Sequence, residues 1–137
     1  VGERIVRAHG SIVKYMGDAV LAVFADKTES TAVQCALAMR ADFGELARRW
    51  ELGWATELEV GVTAGRVTRG TFGHASLRVE DVFGEAVSVA CVIGHHRGVA
   101  VTEAVQSRVR EAYRLVPLEP ARLKWREEPE PLWEVIL

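Results

Sequence analysis

Apolar residues along this 137-residue chain fall into runs of two kinds. Two β-type runs, 12–13 and 19–24, flank a Tyr15-Met16-Gly17-Asp18 corner, which predicts a hairpin over residues 11–24. Residues 31–50 instead carry Val33, Ala36, Leu37, Phe43, Leu46, Ala47 and Trp50 at three- and four-residue spacing, with Arg40, Asp42, Glu45, Arg48 and Arg49 between them. That pattern predicts an amphipathic helix. Residues 1–7 read as the end of another helix, stopped by His9-Gly10. After a connector at 53–56, strands are predicted at 58–64 and 67–72 around Gly65. Gly61, Gly70 and Gly73 there mark bulges or close backbone approach. A third strand, 77–83, is broken by Gly84, and 85–93 reads as a short buried helix ending at Gly94. Residues 98–101 form a strand, Thr102 is an N-cap, and 103–112 a helix. Short strands at 113–117, 122–125 and 132–137, separated by prolines and acidic turns, close the chain. Strand pairs alternating with helices predict an α+β domain, a mainly antiparallel or mixed sheet with helices packed on it.

Composition narrows this to one domain that buries its own core, with 49% hydrophobic and 26% charged residues. The longest apolar runs, such as 19–25, are too short to cross a bilayer, and no signal-peptide pattern opens the sequence, so it reads as cytoplasmic with no membrane partner. A net charge of −2 gives no electrostatic case for nucleic acid. Cys35 and Cys91, inside apolar helical patterns, read as reduced core residues. The chain contains no asparagine.

Candidate chemistry starts at the hairpin, whose tip holds Lys14 and Asp18 on a rigid turn, a place for phosphate or metal chemistry or simply for two solvated charges. The adjacent His95 and His96 point in different directions and do not make a zinc site. They read, with His9 and His74, as loop residues. Trp50, Trp54, Trp125 and Trp133 read as core and interface anchors, since no basic groove accompanies them.

Three stretches then carry a resemblance. HGSIVKYMGDAVLAVF, GVTAGRVTRGTFG and RVEDVFGEAV, in this order, resemble the class III adenylate and guanylate cyclase catalytic domain. The tail ARLKWREEPEPLWEVIL is similar to that family's closing lysine-glycine, proline and aromatic-strand segment, with Trp125 where glycine is usual. The resemblance implies a ferredoxin-like sheet-and-helix fold that pairs head to tail as a homodimer. It implies that ATP is converted to cyclic AMP and pyrophosphate in composite grooves, with two Mg2+ or Mn2+ ions. By the same resemblance Asp18 matches the second of two metal-binding aspartates. Lys14 and Asp81 match an adenine-reading pair, and Lys124 a substrate-binding lysine. The alternative for Asp81 is simply an exposed strand residue.

The departures from the family pattern matter as much. Ser88 and Val92 stand where the family has a transition-state asparagine and an arginine, four residues apart on one helix face. Glu59 stands where an arginine that touches phosphate is common, and Arg97 is the cation nearest in sequence to replace what is missing. The resemblance also places the start of this sequence after the family's first strand and helix, and hence after its first metal aspartate. An unpaired central strand edge would then promote association or strand exchange. The resemblance thus implies an adenylate cyclase-like domain that is weakly active or inactive, or alternatively a non-catalytic, dimerising nucleotide-binding module. A third option is a ferredoxin-like binding domain whose glycine hairpin only mimics the family, and the sheet topology decides that one.

Overall fold

The computed structural model describes residues 1–51 and 56–136; Trp54 and most of the connector expected at 53–56 lie outside them. In chain order come α1 (Gly2–Arg7), β1 (Ser11–Met16), β2 (Ala19–Val23), α2 (Glu29–Arg49), β3 (Val60–Val62) and β4 (Thr68–His74). They are followed by β5 (Leu77–Phe83), α3 (Glu85–Ile93), β6 (Val99–Thr102), α4 (Glu103–Val109), β7 (Arg114–Ala121) and β8 (Glu130–Ile136).

Strand β6 is buried at all four positions and lies inside a four-stranded sheet ordered β3-β6-β8-β7. The β3–β6 pairing is parallel and the others antiparallel, so the sheet is mixed. Alternation along the strands splits the core in two. Val99, Val101 and Val135 meet Val33 and Ala36 of α2 and Val105 and Val109 of α4. Leu132 meets Val89 and Ile93 of α3, together with Ala121 and Leu123. β3 reaches α3 only because position 61 has no side chain. A Cβ at Gly61 would lie 2.6 Å from Ile93 Cγ1 and 2.7 Å from the Gly94 nitrogen. A third cluster, Ile5, Cys35 and Met39 with Ile12, Val20 and Phe24, ties α1 and α2 to the β1–β2 hairpin. Prolines 117 and 120 lie on β7, the outer strand of its sheet, where missing N–H donors cost least.

The α+β fold and most elements match the sequence reading, and four local features differ. The expected strand at 122–125 is a turn: Leu123 is buried, but the other three side chains are exposed. β3 and β4 do not pair with each other. β4 pairs with β5 as a separate hairpin, Thr68 opposite Phe83 through His74 opposite Leu77. Cys91 is exposed, so only Cys35 is a core thiol. Thr102 stands at the N-cap of α4 as expected, but its hydroxyl makes no capping bond and lies 3.0 Å from that of Thr63. The second half of α2 is also largely uncovered, with Trp50 67% exposed. Among the described residues no helix is long and apolar enough to cross a membrane.

Candidate functional site

The β1–β2 register slips between Ile12 and Lys14, a bulge that re-aims the strand just before the lysine. Lys14 thereby reaches across to β5, where its Nζ donates to Asp81 Oδ2 at 3.0 Å. The two residues are 67 positions apart in the chain. Asp81 lies opposite Gly70, so no side chain on β4 competes for its space. Its other carboxylate oxygen accepts the Val82 backbone N–H at 2.8 Å. That N–H first, and then Lys14, hold the Asp81 carboxyl below the ordinary aspartate range. Side-chain exposures of 37% for Lys14 and 19% for Asp81 leave the pair reachable from solvent. Val79 and Phe83 project from the same face of β5 as Asp81, and Phe72 of β4 meets Phe83 edge-on at 4.8 Å. The pair therefore sits at the margin of an exposed apolar strip. A donor beside an acceptor on rigid strands suits a flat ring whose edge offers the complementary groups.

The remaining predicted positions are placed apart from this pair. Asp18 is exposed at the β1–β2 turn, beside Gly17 at φ 62°. Among the described residues neither Asp18, Ser88 nor Lys124 has a hydrogen bond or ion pair to Lys14 or Asp81, and no three His, Cys, Asp or Glu side chains converge as a metal site. A magnesium-type cation keeps several waters and is held by one or two carboxylates together with substrate phosphates. At the exposed tip Asp18 supplies one such carboxylate. Ser88 is exposed on α3. Val92, one turn on, packs against the Val89–Leu132 cluster, so its side chain is a core contact. Glu59 is exposed. Arg97 does not turn toward α3: it donates to Glu57 Oε1 at 2.9 Å, and Glu57 also holds Arg40 at 3.3 Å.

Lys124 is exposed in the turn after β7 and lines a groove of about 330 Å³ with Arg122, Leu123, Arg126, Glu127 and Pro129. Three contacts there escape the sequence reading. Trp125 Nε1 donates to Glu85 Oε1 at 3.1 Å. The Arg126 guanidinium pairs with the same carboxylate and donates to Glu130 Oε2 at 2.6 Å. The Trp125 and then the Arg126 bonds hold the Glu85 carboxyl below the ordinary glutamate range. Their forty-residue separation leaves no local signal. Only the oddity of a tryptophan next to Lys124, where the resembling family has glycine, pointed there.

Comparison with known proteins agrees with this fold. The family described as the adenylate and guanylate cyclase catalytic domain matches residues 3–133. An adenylate cyclase from Anabaena cylindrica is 32% identical over 96 residues, which are 66% of this chain and only 19% of that protein. The adenylyl cyclase CyaB from P. aeruginosa superimposes with a TM-score of 0.88 at 20% identity, covering 98% of this chain and 76% of that one. The guanylyl cyclase Cya2 gives 0.85 at 19% identity, covering 98% and 73%. At such identities the structural likeness is one of fold, and it rules out a chance mimic of the glycine hairpin.

Proposed function

The chain belongs to the adenylate and guanylate cyclase catalytic domain family, and on that premise we propose that it is a homodimeric, adenine-selective domain that binds ATP and converts it slowly to cyclic AMP and pyrophosphate. The observation that carries this reading is the Lys14–Asp81 pair. With Asp81 against the 6-substituent and Lys14 against ring nitrogen 1, adenine offers an amine donor to the carboxylate and a lone pair to the ammonium. Guanine in the same register offers a carbonyl oxygen to the carboxylate and an N–H to the ammonium, so both contacts become repulsive. A two-contact mismatch of this kind against the wrong base discriminates by about 1–3 kcal/mol, roughly tenfold to a hundredfold.

In the chemical step the ribose 3′ oxygen bonds to the α-phosphorus as the bond to the bridging oxygen breaks. Pyrophosphate leaves with the electron pair, and the hydroxyl proton passes to solvent. Charge building on the phosphoryl oxygens needs fixed donors. α3 offers the Ser88 hydroxyl and, at Val92, an apolar side chain. Each absent donor costs ~10²–10³ in rate, which is why turnover is slow. Lys124 is the cation assigned to the phosphates. Mg2+ or Mn2+, the ions the resembling family uses, would shield the triphosphate, and Asp18 is the carboxylate this chain offers toward one.

The test is calorimetric titration with ATP and GTP alongside cyclic AMP formation in Mn2+. ATP should bind at least tenfold tighter than GTP, Lys14→Ala should abolish that preference, and Ser88→Asn should raise turnover. Equal binding of the two nucleotides, or of neither, overturns the reading. The packing of Val92 into the core favours a second reading, a nucleotide-binding module without turnover. ATP-selective binding with no product, in wild type and Ser88→Asn alike, would select it.

A further inference from the structure

The loop 122–129 owes its shape to contacts outside itself. Leu123 is 4% exposed and anchors the loop from below, and the Arg126 N–H closes a turn onto the Leu123 carbonyl at 3.1 Å. Trp125 and Arg126 then both grip Glu85, the first residue of α3, while Arg126 also reaches Glu130 on β8. Lys124 is thus held between a buried anchor and a pinned indole. A lysine on a free loop loses both loop and side-chain freedom on meeting a ligand, and a loop already fixed loses less. The clamp also joins Lys124 to α3, the helix whose open face carries Ser88.

We propose that Glu85, Trp125 and Arg126 are positioning residues that clamp the 122–129 loop to the start of α3 and so hold Lys124 where it meets the phosphates of a bound nucleotide. This rests on the ATP-binding reading above and adds to it. The clamp acts on the phosphate end only, so removing it weakens ATP and leaves adenosine untouched.

The experiment titrates the purified chain with ATP and with adenosine in the wild type, Glu85→Ala, Trp125→Phe, Lys124→Ala and the Glu85→Ala/Lys124→Ala double variant. Thermal melts confirm folding. Each single variant should weaken ATP by roughly fivefold, the scale of one exposed charge contact, without moving adenosine. The double variant should bind no more weakly than Lys124→Ala alone, because Glu85 acts through that lysine. The indole N–H resonance that disappears in Trp125→Phe should shift in Glu85→Ala. Should Glu85→Ala fail to fold, Trp125→Phe, which keeps an aromatic ring but loses the N–H donor, carries the same comparison. Unchanged ATP affinity in Trp125→Phe and Glu85→Ala, additive losses in the double variant, or an equal loss for adenosine would each overturn the clamp. Wild type that binds neither ligand overturns the ATP reading itself, a result distinct from these.

Discussion

Four carboxylates in this chain, Asp42, Glu57, Asp81 and Glu85, are each held below their ordinary range by a named donor: Arg4, Arg97, the Val82 N–H with Lys14, and Trp125 with Arg126. A carboxyl whose folded value lies below its unfolded one contributes stability above the unfolded value, and loses that contribution as pH falls through the folded one. The ordinary values are 3.8 for aspartate and 4.5 for glutamate. Stability should therefore be flat in this respect from pH 6 to 8 and fall below about pH 4.5. Urea midpoints measured from pH 2.5 to 8 check this, and Asp81→Asn should shallow the acid slope. A midpoint unchanged down to pH 3 contradicts the assignment. Residue-scale legibility was uneven for the same reason. Lys14 and Asp81 were nameable as a pair only through the family resemblance, since nothing local couples residues 67 apart. Nothing in the sequence marks Glu85, forty residues from Trp125, as its partner.

At the scale of elements, α3 is readable to the residue because Gly84 and Gly94 bracket a nine-residue run that is apolar except for Glu85 and Ser88. Gly84, at φ 151°, fits a backbone that side chains resist. The strand at 122–125 was misread because Leu123 and Trp125 alternate with charges as a strand would. In fact one is a core anchor and the other a clamp. The partners of β3 and β4 were out of reach too, since pairing is settled by distant β6 and by the packing of β3 on α3. That packing is testable. Gly61→Ala would set a methyl 2.6 Å from Ile93 Cγ1 and 3.0 Å from the Ala90 carbonyl oxygen, so both a side chain and helix backbone must move. Overpacking of this kind costs about 3 kcal/mol when backbone is involved. Chemical denaturation should show that loss. Gly44→Ala, where an added methyl meets nothing within 4 Å, should match or exceed wild type as a helix-interior control.

For the molecule as a whole, the β4–β5 hairpin contributes little to the core: Val82 alone of its side chains is buried. Phe72, Leu77, Val79 and Phe83 are all exposed along it. Single exposed apolar residues are ordinary, but four on one two-stranded arm are a surface that a second copy would cover. The homodimer proposed for this domain would use that strip, and the strip borders the Lys14–Asp81 pair, so pairing would also shield the base-reading end of the site. Another exposed route to association is the edge strand β7, with Val116 at 40% exposure. Light scattering with two charge insertions separates the routes. Wild type should run at twice the chain mass at micromolar concentration. Val79→Glu should run as a monomer, and Val116→Glu should stay dimeric, all three with the same helical circular dichroism. A wild type that stays monomeric, or a dimer broken by Val116→Glu and not by Val79→Glu, contradicts the proposed surface. Because the strip adjoins Asp81, the Val79→Glu monomer should also bind ATP more weakly than the wild-type dimer, which ties the assembly to the site in a single measurement.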